Sequence, residues 1–220
     1  MAHLDGFCGT LQVDGYAGYR PLAARNGVRL AFCWSHFRRR FYELAQSGSA
    51  PIATEALARI AALYAVEKDI RGRPPEDRRA ARQERSRPIV EALEPWLRDK
   101  LALVSRKSKL AEAIQYGLSR WDGLSLFLDN GRGEIDSNIV ERAIRPIALN
   151  RKNALFAGSD GGAEHWATVA SLIETAKMND VDPYAWLADV IARIVAGHPQ
   201  SALDQLLPWA YPKSENPHVR

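Results

Sequence analysis

Asp14 ends a short apolar strand, Thr10-Leu11-Gln12-Val13-Asp14, at an Asp14-Gly15 turn dipeptide. A carboxylate fixed at a strand end is a good ligand for Mg²⁺, which takes a few rigid oxygens and keeps much of its water. Asp14 also has a plain reading, as the start of an Asp-Gly turn. Its candidate partner is Glu141, on a helix opened by Asp136 and opposite the Ile139/Ala143/Ile147 side, where a cleft-facing group belongs. Glu141 has a plain reading too: Asn138 followed three residues later by Glu141 resembles a capping box, and Glu141 with Arg145 is an i,i+4 pair. Cys33 and His36 place a thiol and an imidazole three residues apart. Zinc needs further ligands at comparable spacing, and neither Cys8 nor His3 supplies a second pair, so no structural metal site is expected. His165, His198 and His218 suggest no triad with an activated serine or cysteine. Neither a Walker-type loop nor a dinucleotide fingerprint is present; Gly158-Ser159-Asp160-Gly161-Gly162 is only turn-rich.

Around these groups lies a charge pattern that the totals conceal. Lys+Arg 30 against Asp+Glu 26 gives a formal net charge of +4. Between Arg71 and Arg87 there are seven arginines and three acids, an excess as large as that of the whole chain. Arg38-Arg39-Arg40 and Arg142, Arg145, Arg151 and Lys152 form two further clusters. Separate basic patches on a near-neutral background suit a polyanion laid along the surface. The alternative is solvated helix faces laced with internal ion pairs.

The elements that must position these groups follow from periodicity and punctuation. A chain of 220 residues with 46% hydrophobic and 25% charged residues can bury a core without disulfides, which excludes disordered, collagen-like and disulfide-framework classes. Two cysteines, no basic-then-apolar start over residues 1–9 and no apolar run of membrane-spanning length give a cytoplasmic expectation, with no membrane partner. After the Asp14 strand, a short helix is expected over Pro21–Asn26. A period-two strand over Val28–Trp34 follows, then a helix after Ser35 burying Phe37, Phe41, Leu44 and Ala45. Residues 54–128 read as helical and basic, broken at Gly72 and Pro74-Pro75, punctuated by Pro88 and Pro95, and capped again at Ser108. A helix over Asp136–Asn150 turns Ile139, Val140, Ala143, Ile144 and Ile147 inward, with Pro146 expected to kink or shorten it. Asn153–Ser159 reads as extended and Gly161-Gly162 as a turn. A helix over Ala163–Met178 is expected to pack through Trp166, Val169/Ala170 and Ile173. Asp182-Pro183 opens a helix to Ala196, Ser201 with Asp204 caps a last short helix, and the tail from Pro212 is expected to be loose.

Taken in order, the longer motifs resemble one family. Leu11-Gln12-Val13-Asp14-Gly15-Tyr16-Ala17-Gly18-Tyr19 and Cys33-Trp34-Ser35-His36-Phe37-Arg38-Arg39 are similar to motifs of the insertion-sequence-66 family of bacterial transposases. Ile135-Asp136-Ser137-Asn138-Ile139-Val140-Glu141-Arg142-Ala143-Ile144-Arg145-Pro146 resembles that family's Asn-rich Glu-Arg motif, with Ser137 where Asn is usual. Arg151-Lys152-Asn153-Ala154-Leu155-Phe156-Ala157-Gly158-Ser159 follows in the same order. Ser171–Lys177 and Asp182-Pro183-Tyr184 resemble the family's C-terminal element. The likeness runs from about Leu11 to about Leu207.

The resemblance implies an α/β fold: an incomplete RNase H-like core with a large helical insertion and a helical C-terminal element. Core segments would occupy residues 1–50 and 131–160, the basic insertion 51–130, the C-terminal element 161–207 and a tail 208–220. It implies Mg²⁺-dependent (or Mn²⁺-dependent) DNA strand cleavage and transfer by an Asp-Asp-Glu triad holding two ions, with Asp14 as the second Asp and Glu141 as the Glu. His36 is an accessory candidate. Arg38, Arg39, Arg78, Arg79, Arg82, Arg142, Arg145, Arg151 and Lys152 are the expected contacts to DNA phosphates at transposon ends and target. A homo-oligomer or companion transposition proteins would be further partners. Only Asp5 precedes Asp14, too near to be the first Asp, so the expectation is a chain that starts inside the catalytic domain. The alternative is a non-catalytic DNA-binding or interaction remnant of a transposase.

Overall fold

The computed structural model describes residue 4 and residues 6–25, 27–153 and 158–211, without the side chains at 24, 25 and 150–153. Two strands, β1 (Gly9–Val13) and β2 (Val28–Phe32), pair in parallel from Gly9↔Val28 to Val13↔Phe32. Parallel neighbours need a crossover, here supplied by a 3₁₀ turn (Ala17–Tyr19) and α1 (Arg20–Arg25). The remaining α-helices are α2 (Trp34–Gln46), α3 (Pro51–Asp69), α4 (Pro75–Ala81), α5 (Arg87–Leu103), α6 (Lys109–Leu118), α7 (Trp121–Ser125), α8 (Asn138–Asn153), α9 (Asp160–Met178) and α10 (Pro183–Val195). The protein is thus mostly helical with a small parallel sheet. No helix among the described residues is long and apolar enough to cross a membrane.

The chain divides into two compact units, Met1–Glu141 and Arg142–Arg220. The first has one core. Trp34, Phe37 and Phe41 of α2, spaced by three and four, present one helix face to Ile60 and Leu63 of α3, Leu93 and Leu97 of α5, Ile114 of α6 and Leu124 of α7. Helices from residues 51–130 therefore share their core with α2. Trp34 is central: its ring meets Phe37, Trp121 and Phe127 edge-on at 5.8–6.2 Å, and its indole N–H donates to the Leu124 carbonyl at 2.8 Å. Close packing explains Gly117, where a Cβ would strike the Phe37 ring. In the second unit, Ala176, Val181 and Trp186 form a smaller core with Leu172, Ile173 and Leu187.

Local signals hold where a cap or a short period decides the element. Ser108 Oγ accepts the Ala111 N–H at 3.1 Å, and Asp182 Oδ1 accepts those of Tyr184 and Ala185, as expected of N-caps. Other expectations are met in part or not at all. Gly161-Gly162 is not a turn but the first turn of α9, because Ser159 Oγ caps the helix through the Gly162 N–H at 3.0 Å. The last short helix is present as a 3₁₀ helix over residues 200–206, broken at Ala202, but its N-cap is Pro199 and not Ser201. Helix α8 runs on past Pro146 to Asn153, so the proline does not shorten it. Its Ile139, Val140 and Ile144 are exposed, as are Trp166 and Val169 of α9; the apolar periodicity of these helices is real, but the described residues do not cover it. Of the extended segment expected at 153–159, residues 154–157 lie outside the described residues, as do 212–220 of the tail.

Candidate functional site

The last register pair, Val13↔Phe32, places Asp14 and Cys33 next to one another as β1 and β2 end. Neighbouring strands run about 4.8 Å apart, so both residues emerge on one edge, at the carboxyl ends of parallel strands where α/β sheets commonly bind ligands. Asp14 is exposed, and its Oδ1 accepts the Tyr16 N–H at 2.8 Å, which fixes the carboxylate over the turn. The Asp14 carbonyl accepts the Tyr116 hydroxyl at 3.0 Å. Gly15 has φ +98°, and a Cβ there would meet the Tyr116 hydroxyl at 2.7 Å; both backbone angle and space require glycine. The Arg40 and Arg120 guanidinium groups both lie over the Tyr116 ring, 3.9 and 4.1 Å from its centroid. Burial raises its phenol pKa, against the opposing pull of Arg120 and Arg40. Sequence reasoning missed Tyr116 and Arg120, whose place beside Asp14 depends on how α6 packs.

Glu141 reaches the same edge through a chain of tethers. Gln12 donates to the Glu134 carbonyl at 3.0 Å, and the Trp34 N–H to the Ile135 carbonyl at 3.2 Å. The Ser137 N–H donates to Cys33 Sγ at 3.3 Å. Asp136 closes the start of α8, accepting the Asn138 N–H at 3.1 Å and its side-chain amide at 2.7 Å. Tyr64 OH donates to the same carboxylate at 3.0 Å. One helical turn on, Glu141 Oε1 accepts the Ser137 hydroxyl at 2.8 Å and lies 3.7 Å from His36 Nδ1. The expected Asn138–Glu141 capping box is replaced by this Asp136/Ser137 arrangement. Cys33 Sγ, a His36 ring nitrogen and a Glu141 oxygen lie within 4.8 Å of one another. Among the described residues no hydrogen bond joins Asp14 directly to Glu141; what they share is the neighbourhood of Cys33.

The basic run has a different role from the one its charge suggests. Arg82 departs from the expectation of a phosphate-facing side chain: it is 0% exposed. A π-helical turn (Arg82–Ser86) follows α4 and begins with this inward-pointing guanidinium. Its Nε and Nη2 donate to the two Glu67 oxygens at 2.7 and 2.6 Å, and Nη1 to the carbonyls of Phe127, Asn130 and Gly133 at 2.8–3.1 Å. Burial without partners would cost such a charge several kcal/mol, about the scale seen for isolated buried ions, so the full set of acceptors is what permits it. Arg78 is likewise mostly buried and paired with Glu134 at 3.0 Å and Glu67 at 3.7 Å. Arg85 pairs with Asp69 and Arg87 with Asp129, both at 2.7 Å. Internal ion pairing is therefore the better account of this run. It braces residues 127–134, the segment that leads into α8.

Arg39, Arg79, Arg142 and Arg145 are exposed, and Arg38 lies over the Tyr42 ring at 5.7 Å. Arg151 and Lys152 are on α8, with side chains outside the described residues.

Comparison with known proteins agrees with the order of these motifs. Residues 1–165 match the model of the Transposase IS66 family, and residues 171–209 match the IS66 C-terminal element. Three relatives from Sinorhizobium fredii (strain NBRC 101917 / NGR234) are themselves uncharacterized proteins. The chain is 49% identical to y4qI over 216 residues, covering 95% of this chain and 40% of the relative. It is 47% identical to y4jD, covering 94% and 42%, and 42% identical to y4hP, covering 96% and 41%. The chain thus spans about two fifths of the length of the curated relatives it matches. No solved structure matches it. With both family models matched in order over nearly its whole length, the chain belongs to the IS66 family of transposases.

Proposed function

We propose that this chain carries part of the active site of a DNA transposase, in which Asp14 and Glu141 hold divalent metal for strand cleavage and strand transfer. The observation that carries this reading is the shared edge: Asp14 leaves β1 beside Cys33, and Glu141 is tethered to Cys33 and His36. The donor set fits Mg²⁺ or Mn²⁺. Asp14 is exposed, its Oδ2 takes no hydrogen bond among the described residues, and Glu141 is 42% exposed in its side chain. Hard cations of this kind take carboxylate oxygens and retain water. When bound, a metal pair in such a site activates water and then a DNA 3′-hydroxyl, and stabilises the leaving oxygen.

The chain's own residues position and attract. The Tyr16 N–H holds Asp14, and the Ser137 hydroxyl holds Glu141. Arg40 and Arg120, stacked on Tyr116, place positive charge beside Asp14. Exposed Arg39, Arg79, Arg142 and Arg145 are the best phosphate contacts, with Arg38 partly available; Arg151 and Lys152 are candidates by sequence alone. Contacts of this type give salt-dependent binding with little sequence preference. Two carboxylates are fewer than an Asp-Asp-Glu site needs. We assign the remaining ligand, and an RNase H-like completion of the sheet, to the part of the relatives' length that this chain does not span.

The test is Mn²⁺ binding by the chain, followed as localised broadening of its amide signals, together with cleavage of terminal-repeat DNA in Mg²⁺. Broadening at Asp14 and Glu141, lost in Asp14→Asn and Glu141→Gln, is the expected result. Metal binding indifferent to both substitutions, or DNA cleavage that survives either, would overturn the reading. The alternative, a DNA-binding remnant without catalytic residues, drew on the arginine run at 71–87; internal pairing of Arg78, Arg82, Arg85 and Arg87 leaves it less support.

A further inference from the structure

We propose that Cys33, His36 and Glu141 form a second kind of metal site, for one thiophilic divalent cation of the Zn²⁺ class. The donors are Cys33 Sγ, a ring nitrogen of His36 and a carboxylate oxygen of Glu141, all within 4.8 Å of one another. A sulfur, an imidazole nitrogen and an oxygen are an ordinary zinc set, whereas Mg²⁺ has little affinity for the first two. In a tetrahedral zinc site with bonds of about 2.0–2.3 Å, ligand atoms sit about 3.5 Å apart. His36 Nδ1 and Glu141 Oε1 are already 3.7 Å apart, so closing on an ion needs only side-chain adjustment.

Two independent observations point to a ligand. His36 Nδ1 is buried and has no hydrogen-bond partner among the described residues. A buried polar atom without a partner is uncommon and costly, and a metal bond would satisfy it. Cys33 is 1% exposed, yet its sulfur accepts the Ser137 N–H, so it is already held as an electron-pair donor facing the start of α8. Backbone fixes both residues. Cys33 is the N-cap of α2 and His36 lies in that helix's first turn, putting both donors at one helix end. Loading the site replaces the Cys33 S–H bond with S–metal and releases the proton to solvent. Glu141 is 42% exposed and His36 27% exposed in their side chains, so water can reach the site as a fourth ligand.

The site also links the two metal chemistries. Glu141 cannot serve zinc and magnesium equally, so a bound zinc ion would withdraw it from the pair with Asp14. The inference rests on the three donors and holds whether or not the transposase chemistry proposed above is correct.

The experiment titrates the 220-residue chain with Zn²⁺ against a chromogenic chelator, and with Co²⁺ as a spectroscopic probe. One equivalent of Zn²⁺ should bind, and Co²⁺ should give a thiolate-to-metal charge-transfer band. Cys33→Ser should abolish the band, and Cys33→Ser, His36→Ala and Glu141→Gln should each weaken Zn²⁺ by at least about tenfold. Cys8→Ser should do neither. X-ray absorption at the zinc edge of the unaltered chain guards against variants that misfold: one sulfur in the coordination shell is expected. No sulfur in the shell, loss of the band in Cys8→Ser, or affinity within about twofold in both Cys33→Ser and His36→Ala would overturn the proposal. No step uses DNA or Mg²⁺, so its failure leaves the magnesium reading standing, and failure of Mn²⁺ binding at Asp14 leaves the zinc site standing.

Discussion

His36 Nδ1 lies 3.7 Å from Glu141 Oε1, and this approach joins the first turn of α2 to the first turn of α8. The intervening helices make the approach possible by bracing residues 127–134. The candidate site therefore depends on packing well away from it, and on Arg82 above all.

Removing Arg82 should be among the most damaging single substitutions. Arg82→Met leaves Glu67, 7% exposed, with only the more distant Arg78 at 3.7 Å as a cationic partner, and frees three carbonyls. Loss of about 3–5 kcal/mol is expected in urea unfolding. Glu67→Leu with Arg82→Met should cost less than the two single changes added together, because the pair is lost as a unit. Additive costs would contradict the buried-pair account.

Gly131 tests the same brace by sterics. A Cβ at Gly131 would run into the Pro75 carbonyl at the start of α4. Gly131→Ala should destabilise by about 1–3 kcal/mol, the range for forcing an extra methyl into packed structure. A chain as stable as the original would show that this close approach does not persist in solution.

Tyr64 gives a pH signature. Burial, then the nearby Asp136 carboxylate, raises its pKa well above the ordinary 10.0. The folded form thus holds the phenol proton more tightly than the unfolded chain. The associated stability is complete below about pH 10 and is lost as pH rises from there toward the folded value. Tyr64→Phe should cost about 1 kcal/mol near neutrality, for the bond to Asp136, and should flatten the decline in urea midpoint above about pH 10. An unchanged alkaline slope would contradict the assignment.

Ser137 separates positioning from folding. Its hydroxyl holds Glu141 Oε1 at 2.8 Å, whereas the start of α8 is closed by Asp136. Ser137→Ala should therefore leave thermal unfolding within about 1 kcal/mol, the typical worth of one exposed side-chain bond. Divalent metal affinity should fall several-fold. Loss of stability with metal affinity unchanged would reverse these roles.

Much of this was legible in local sequence. The Asp14 strand, the Cys33–Phe37–Phe41 segment and the Ser108 and Asp182 caps follow from spacing and from neighbours within a few residues. Arg82 was not legible. An arginine-rich run looks like surface, and only the fold shows that Glu67 and the carbonyls of residues 127–133 converge on one member of it. The same limit hid the third neighbour of Cys33 and His36: Glu141 lies more than a hundred residues on and arrives through Ser137, which itself bonds Cys33 across 104 positions. On α8, periodicity marked an apolar face correctly but carried no information about what covers it.

We propose that Asp14 and Glu141 act on one divalent cation site at the carboxyl ends of β1 and β2. Mn²⁺-induced broadening of the chain's amide signals tests it most directly. Signals of residues 13–15 and 140–142 should broaden together at the same low Mn²⁺ concentration, and Asp14→Asn or Glu141→Gln should remove the effect at both segments. Broadening at one segment that is unchanged by substitution at the other would contradict a shared site.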